Sequence, residues 1–394
     1  MIESSRGEMV KTLSDMIAIP AISPKSGGAG EGKRADFLSA LLKNWGFDAK
    51  RYEYTDDSGV KRPSLVLSCG SEERTVWIIG HMDTVAVGDP GLWKTDPFKA
   101  HVEDGKVYGR GATDDGHGIL CSLYALHALK SSGIKLRYNF GLVLAADEEI
   151  GSRFGMAKLM SEGIFKKDDM FVVPDFWSKD GDEIEIGEKG LLWIRITVKG
   201  KQVHASTPEA GKNAYRFAAM FVMEVDKHLH SKYDAKDPLF DPSYSTFEMT
   251  KHEKNVDSVN IIPGVDVSYI DCRILPRYKI DEIIADVRSI AKRDEFSGVQ
   301  IEVEQFARED PAMATSADAE VVRLLEDSIF KLRHMRPKKI GIGGNTVALF
   351  PRKLGMQAVA WSTGDDIAHQ PNEYVVIDNL VEDTKVLAHL FFSD

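Results

Sequence analysis

Three consecutive acids, Asp147, Glu148 and Glu149, end an apolar run in the first half of the chain. Two carboxylates ~4 Å apart repel each other by about 4 kcal/mol at an effective dielectric constant of roughly 20. No Lys or Arg lies between Arg137 and Arg153 to offset this repulsion. A solvated loop would tolerate the triplet, and so would a bound cation. The other polar residues of the chain bear on that choice.

Histidine and carboxylate residues also stand at the ends of other predicted elements. His81 and Asp83 follow a predicted strand and lie on the same side if the backbone stays extended. Asp114 and Asp115 lie in a glycine-rich loop directly before a predicted helix, where a helix N-cap would account for one of them. A histidine or acid in such a place is more often structural than functional when it stands alone.

Two more candidates follow later in the chain. Asp175 comes directly after a predicted strand and Pro174, and His369 stands in the segment 368–373. Taken together, the candidates supply two imidazoles and several carboxylates from different strand ends of one sheet. That is the ligand set of a site for two divalent cations ~3.5–4 Å apart.

The elements that must position these residues alternate between strand and helix, which predicts an α/β sheet covered by helices. Functional loops should then follow the carboxyl ends of the strands. The predicted strands of the first part are 64–68, 75–79, 138–145 and 170–173, and the predicted helices are 38–45, 117–130 and one after Gly151.

From Gly190 the pattern changes to the order β-α-β-β-α-β, which is the ferredoxin-like order. Its predicted strands are 191–198, 256–262, 265–274 and 299–306, and its predicted helices are 214–228 and 280–291. We expect the two middle strands to pair around Pro263 and Gly264. The predicted domains are therefore a catalytic domain in two parts, 1–189 and 309–394, and an inserted domain, 190–308.

The bulk properties exclude several classes of function. The 394 residues are 43% hydrophobic and 28% charged with a net charge of −11, which disfavours nucleic acid and anionic membrane surfaces as partners. No apolar stretch is long enough to span a bilayer, and the N-terminus lacks a signal-peptide core. The three cysteines are far apart without CxxC spacing, which suits a reducing compartment. We expect a cytoplasmic protein with a small-molecule or peptide substrate.

The motifs, in their order along the chain, resemble those of the M20 family of dinuclear zinc peptidases and deacylases. They are HMD at 81–83, GRGATD at 109–114, DEE at 147–149, PD at 174–175, HASTP at 204–208, NIIPG at 260–264, DCR at 271–273 and HQPNE at 369–373. The resemblance covers nearly the whole chain. It implies a zinc-peptidase-like α/β catalytic domain, with a mixed sheet covered by helices, interrupted by a ferredoxin-like (βαββαβ) lid and dimerisation domain.

The resemblance also implies a metal site. His81 and Asp175 would bind one divalent ion, Glu149 and His369 the other, and Asp114 would bridge them. Zinc is the expected metal, with cobalt and manganese as alternatives. The metals would then offset the charge of the acidic triplet. In the family the peptide after the bridging aspartate is cis, which predicts a cis bond between Asp114 and Asp115.

Further roles follow from the same resemblance. Glu148 would be the general base, Asp83 would orient His81, and His204 would donate a hydrogen bond to the oxyanion from the lid. The proposed substrate-binding residues are Arg273, which would grip a substrate carboxylate, with Asn260, Gly343, Gly344 and Asn345 in the same pocket.

Departures from the family pattern concern the substrate. Gly116 stands where many members have Lys, and Asn345 and Thr346 replace a Thr-Asp or Ser-Asp pair. The leading hypothesis is hydrolysis of a small peptide or N-acyl amino acid. The alternatives are a dedicated biosynthetic deacylase, of the acetylornithine deacetylase or succinyl-diaminopimelate desuccinylase type, and a non-catalytic ligand-binding protein on the same fold. A homodimer joined through the lid is expected, with His204 serving the active site of the other subunit, and a monomer is the alternative.

Overall fold

A computed structural model describes residues 1–392, which form two compact units. The first unit comprises Met1–Ile186, Thr315–Ile340 and the described residues from Thr346 onward. The second comprises Gly187–Ala314 and Gly341–Asn345. The predicted insert, 190–308, lies within the second unit. None of the helices in residues 1–392 has the length and hydropathy needed to cross a bilayer.

The helices and strands have the following bounds. The helices are α1 Arg6–Ile17, α2 Gly32–Asn44, α3 Gly116–Ser132, α4 Met156–Leu159, α5 Ala214–Lys232, α6 Ile280–Ile290, α7 Glu320–Arg333, α8 Leu349–Lys353 and α9 Ile377–His389. The strands are β1 Lys50–Thr55, β2 Lys61–Cys69, β3 Thr75–His81, β4 His101–Glu103, β5 Lys106–Tyr108, β6 Asn139–Ala145, β7 Met170–Ser178, β8 Glu183–Glu188, β9 Gly190–Lys199, β10 Val203–His204, β11 Thr246–His252, β12 Ile261–Ile262, β13 Val265–Ile274, β14 Gln300–Glu309, β15 Lys338–Ile342, β16 Gln357–Thr363 and β17 Tyr374–Val376.

The main sheet of the first unit has the strand order β1-β2-β6-β3-β7-β16-β8-β15. Its centre is parallel, because β3 pairs with β6 and β7, and β7 with β16, in the same direction. β2 is antiparallel to β6, and β8 to β16, so the sheet is mixed, as predicted. Central strands such as β3 are buried along their whole length and read as apolar runs, which is usual for parallel strands covered on both faces.

Helix α3 is buried over most of its length because it packs between the sheet and two other helices. It contacts β3 and β7 on one side and α1 and α9 on the other. A helix in such a place is apolar around its circumference rather than on one stripe. Its first residue, Gly116, directly follows the two aspartates of the predicted site.

The second unit contains a four-stranded antiparallel sheet with the order β11-β13-β9-β14. The chain order β9, α5, β11, β13, α6, β14 is the ferredoxin-like order that the sequence predicts. Residues such as Ile194, Ile270 and Phe221 form the core between this sheet and its helices.

Three predicted elements differ in the structure. The pairing of 256–262 with 265–274 is wrong: β11 pairs with β13, and β12 pairs with β10. Residues 253–260 form a loop in which Glu253 N donates to Val267 O, and the Ser258 carbonyl accepts from Ile261 N, so most of the predicted strand 256–262 is not a strand. The helix after Gly151 is the short α4, and the strand that begins at Met170 continues past Pro174 to Ser178.

Candidate metal centre

Three parallel strands bring site residues to one edge of the first unit's sheet. His81 is the last residue of β3 and lies opposite Ala145, the last residue of β6. Glu148 and Glu149 begin a 3₁₀ turn just after β6. Because parallel strands end at the same edge, side chains that are distant in sequence meet there.

Asp175 reaches this edge through an irregularity in β7. Val173 pairs with Ala360 and Trp177 with Ser362, so β7 has two residues more than β16 between these pairs. Such bulges re-aim side chains near functional sites. The Asp175 carboxylate oxygen lies 3.8 Å from His81 Nε2.

The two aspartates before α3 have different partners. Asp115 caps the helix by accepting from Gly118 N at 3.0 Å, and it also accepts from His81 N at 2.9 Å. Asp114 instead directs its carboxylate at two imidazoles. The Asp114–Asp115 peptide bond is cis, as the resemblance implies.

Asp114 lies between two groups of potential metal ligands. Its Oδ1 is 2.8 Å from His81 Nε2, and its Oδ2 is 3.0 Å from His369 Nε2. Glu149 Oε2 is also 3.0 Å from His369 Nε2. Within each group, His81–Asp114–Asp175 and Asp114–Glu149–His369, the ligand atoms lie within 4.8 Å of one another.

The carboxylates of this cluster outnumber its two histidines. Burial raises the pKa of Glu148, Glu149 and Asp175, and the nearby Asp114 carboxylate adds to that shift. Burial opposes ionisation of Asp114 as well, but hydrogen bonds from His369 and His81 lower its pKa below its ordinary range. Hydrogen bonds to Asp114 and Glu149 raise the pKa of His369 to about 10.

These residues fit two divalent metal ions. Each group offers one imidazole nitrogen and two carboxylates, which are ligand types that zinc accepts at about 2.0–2.2 Å. Each Nε2 faces carboxylates, and a divalent cation bound between them would replace the proton that such contacts need. Cations there would also relieve the repulsion that raises the carboxylate pKa values.

Asp83 fixes the turn that carries the acidic pair. Its carboxylate accepts from Glu148 N at 2.9 Å and from Glu149 N at 3.2 Å. His81 Nδ1 lies 3.2 Å from the Asp83 backbone carbonyl and 3.6 Å from the carboxylate Oδ1. The carbonyl is therefore the nearer partner of the ring, and the carboxylate mainly positions the Glu148–Glu149 backbone.

The cation that offsets Asp147, the first acid of the triplet, is Arg62, which no sequence motif marks. Arg62 is fully buried, and its Nη1 donates to Asp147 at 2.6 Å. The same guanidinium forms a two-point contact with Glu31 at 2.8 and 2.9 Å. Arg62 lies on β2, far from the triplet in sequence, so no local pattern could pair them.

A second buried pair joins the loops of Asp114 and His369. Glu373 accepts from Asp114 N at 2.9 Å, from Thr113 N at 2.8 Å and from Gly111 N at 3.1 Å. Arg110 donates to Glu373 at 2.7 Å and to the His369 carbonyl at 3.3 Å. Both residues stand in motifs that the sequence displays, but their contact appears only in the fold.

The predicted lid residues form two groups in the second unit. His204 on β10 pairs with Ile261, and the Asn260 carbonyl accepts from Ala205 N at 2.8 Å. In the other group, Arg273 Nη1 donates to the Gly343 carbonyl at 3.0 Å, and Asn345 donates to the Lys189 carbonyl at 2.9 Å. Gly344 lies between these two loop residues. Arg273 also contacts Asp271 through Nε at 2.8 Å and Nη2 at 3.2 Å.

Comparisons with known proteins match the chain over most of its length. A model of peptidase family M20/M25/M40 matches residues 77–393. The chain is 38% identical to an uncharacterized metallohydrolase of Methanocaldococcus jannaschii over 98% of both chains. It is 30% identical to acetylornithine deacetylase of Myxococcus xanthus over 90% of both chains. A tripeptidase structure from Staphylococcus aureus has the same fold, with a TM-score of 0.78 at 20% identity, covering 98% of this chain and 97% of that one.

Proposed function

Because the chain belongs to peptidase family M20/M25/M40 and is therefore a hydrolase of amide bonds, we propose that it cleaves a small peptide or an N-acyl amino acid with two bound divalent metal ions. The observation that carries this proposal is the position of Asp114. Its two oxygens face two imidazoles, at 2.8 and 3.0 Å, as expected of a carboxylate that bridges two cations.

In this proposal His81 and Asp175 hold one ion, Glu149 and His369 hold the other, and Asp114 binds both. Zinc suits the imidazole and carboxylate ligands best, and cobalt and manganese are the alternatives. When bound, the ions would supply Lewis acidity that acidifies a water molecule and polarises the substrate carbonyl.

Glu148 is the proposed general base. It belongs to neither ligand group, and within residues 1–392 no hydrogen bond engages its carboxylate, whereas its amide is fixed by Asp83. The carboxylate can therefore take a proton from the attacking water and deliver it to the leaving amine nitrogen.

His204 is the proposed oxyanion donor, and its surroundings select one tautomer. Ser206 N donates to His204 Nδ1 at 3.1 Å, so Nδ1 is an acceptor and the neutral ring carries its proton on Nε2. The Nε2–H group would then donate to the oxygen that gains charge during attack.

Arg273 is the proposed partner of a substrate carboxylate, because a planar guanidinium binds carboxylates well. Asn260 and the loop formed by Gly343, Gly344 and Asn345 would line the same pocket. The Arg273–Gly343 hydrogen bond, at 3.0 Å, supports grouping the arginine with that loop.

We also propose a homodimer that is joined through the second unit. β11 is an edge strand of that unit's sheet, so its outer backbone groups could pair with a second copy. Tyr215 and Met223 on α5 are 53% and 65% exposed, which adds apolar surface for such an interface. The three free cysteines support a reducing, cytoplasmic location.

A dedicated biosynthetic deacylase is the second candidate, and the 30% identity to acetylornithine deacetylase favours it. A substrate panel distinguishes the two. Metal-loaded protein is assayed against dipeptides and N-acyl amino acids, with the Glu148→Gln variant as the control for contaminating hydrolases. Activity on several dipeptides supports the peptidase, and activity on a single acyl amino acid supports the deacylase. No turnover of either class above the Glu148→Gln background contradicts the proposed function.

A further inference from the structure

Three aromatic rings form a partly exposed cluster on the second unit's sheet. Trp193 on β9 stacks with Phe306 on β14 at 6.2 Å between ring centroids. Tyr269 on β13 makes an edge-to-face contact with Phe306 at 5.6 Å between ring centroids, so the Phe306 ring leans across β9. Trp193 is 37% and Phe306 61% exposed. We call these three residues the aromatic cluster.

The aromatic cluster lies on the face of the sheet opposite the hydrophobic core. Alternate residues of the same strands, Ile194 on β9 and Ile270 on β13, are buried against the helices. Because side chains alternate along a strand, Trp193 and Tyr269 point the other way. The fold therefore does not need these rings for its core, and exposed apolar clusters on such faces commonly mark binding sites.

A hydrogen-bonded chain links the aromatic cluster to Arg273. Trp193 Nε1 donates to Asp271 at 2.6 Å, and Asp271 accepts from Arg273 Nε at 2.8 Å. Trp193 lies directly opposite Asp271 in the β9–β13 ladder, and Arg273 is two residues further along the same face. Such diagonal neighbours are about 7–8 Å apart between Cα atoms. One carboxylate thus orients both the indole and the guanidinium.

Arg273 retains hydrogen-bonding capacity on this face. A guanidinium has five N–H groups, and the contacts with Asp271 and Gly343 use three of them among the described residues. The remaining two, one on each terminal nitrogen, can bind a carboxylate. A cation with a neighbouring aromatic surface suits a ligand that carries an anion beside a large apolar group.

We propose that the aromatic cluster is a subsite that binds an aromatic or large apolar side chain of the substrate, next to the carboxylate that Arg273 binds. This inference rests on the proposed function and narrows its substrate class. Preferred substrates are N-acyl amino acids or dipeptides with a C-terminal aromatic or large aliphatic residue. The other possible occupant of the cluster is a second copy of the chain.

The test uses matched substrates that differ only in the side chain beside the carboxylate. The metal-loaded protein and its Trp193→Ala and Phe306→Ala variants are assayed on N-acetylphenylalanine and N-acetylalanine, or on dipeptides ending in these residues. We expect kcat/KM for the phenylalanine substrate to fall about tenfold, mainly through KM, while the alanine substrate changes less than about twofold.

Two further variants serve as controls. Phe330→Ala removes a comparably exposed ring, 42%, from α7 of the first unit and should leave the preference unchanged. Trp193→Phe keeps a ring but loses the hydrogen bond to Asp271, and it should retain most of the aromatic preference. Circular dichroism and sedimentation of each variant report its folding and oligomeric state.

The outcomes separate this inference from the proposed function. If the parent protein cleaves neither substrate class, the proposed function fails. If the parent is active but the cluster variants lose activity equally on both substrates, or not at all, the subsite is wrong. Loss of the dimer in Phe306→Ala with an unchanged preference would assign the cluster to a subunit interface and would also overturn the subsite.

Discussion

Glu148 and Glu149 are adjacent in the chain but have different surroundings. Glu149 Oε1 accepts from Val85 N at 3.1 Å, and its Oε2 lies 3.0 Å from His369 Nε2. The Glu148 carboxylate belongs to neither ligand group. The two residues should therefore differ in what their substitution removes, since one carboxylate would bind metal and the other would move a proton.

Glu148→Gln should leave the metal content near that of the parent and lower turnover at least about 10²-fold, because it removes the general base. Glu149→Gln should instead reduce the occupancy of one metal site, because an amide is a poorer ligand than a carboxylate. The measurements are elemental analysis and steady-state kinetics on the same preparations. Similar behaviour of the two variants in both assays would contradict this division.

Glu373 should matter for metal binding although it is not a proposed ligand. It accepts from the backbone N–H groups of Gly111, Thr113 and Asp114 and pairs with Arg110. Glu373→Gln should weaken metal affinity about 10–100-fold, as loss of an outer partner of a ligand typically does. Competition with a chromophoric chelator measures the affinity. The control is Glu103→Gln, at a side chain that is 64% exposed, and it should bind metal like the parent. Equal metal affinities of the parent, Glu373→Gln and Glu103→Gln would show that Glu373 does not support the metal site.

The proposed metal ligands could be identified from sequence because each stands in a short motif at a strand or loop end. Their buried supports could not. Arg62, on another strand, donates to Asp147, and the same guanidinium also donates to Glu31 at the start of a helix. Such contacts depend on the sheet order, which a single sequence does not display.

At the scale of elements, the site depends on how closely α3 approaches its preceding loop. Gly116 is the first residue of α3, and an added Cβ would lie 2.3 Å from the Gly111 carbonyl oxygen and 2.8 Å from Leu13. No side chain fits at this position without a shift of the backbone that carries Asp114.

Gly116→Ala should therefore destabilise the protein, by about 1–3 kcal/mol for an overpacked site, and lower its metal affinity. Gly32→Ala is the matched control, because Gly32 also begins a helix but has open space around it. That variant should unfold at the same or a higher temperature. Thermal unfolding of metal-free and metal-loaded protein checks both; equal unfolding temperatures for the two variants would contradict the close approach.

The sequence predicts elements well where hydrophobic periodicity is strong and long, as for α5, α6 and β13. The prediction is wrong at 256–262, where most of the segment forms a loop and Ile261–Ile262 is a strand. Its place beside β13 is taken by β11, whose outward residues are polar or exposed. An edge strand buries little, so its sequence has weak alternation.

For the whole molecule, we predict a dimer in which His204 serves the active site of the other chain. Edge-to-edge pairing of β11 strands would satisfy backbone groups that are otherwise left to solvent. The charge of Lys251 on that strand opposes pairing, and a monomer is the alternative.

Subunit mixing tests this arrangement. Glu148→Gln chains and His204→Ala chains, each inactive alone, are folded together and the heterodimers are isolated. Activity should return, because one composite site would contain an intact Glu148 and an intact His204. Verified heterodimers without activity would assign His204 to its own chain's site, and a monomeric mass in solution would exclude the dimer.

The number of metal ions that the protein binds is the sharpest test of the bridged site. After metal loading and exhaustive dialysis, elemental analysis should find two divalent ions per chain in the parent protein and in Asp318→Asn, an exposed control. Asp114→Asn should bind fewer, because both ions depend on its carboxylate. A parent protein that never binds more than one ion, with the same content in Asp114→Asn, would contradict the bridged site on which the proposed function rests.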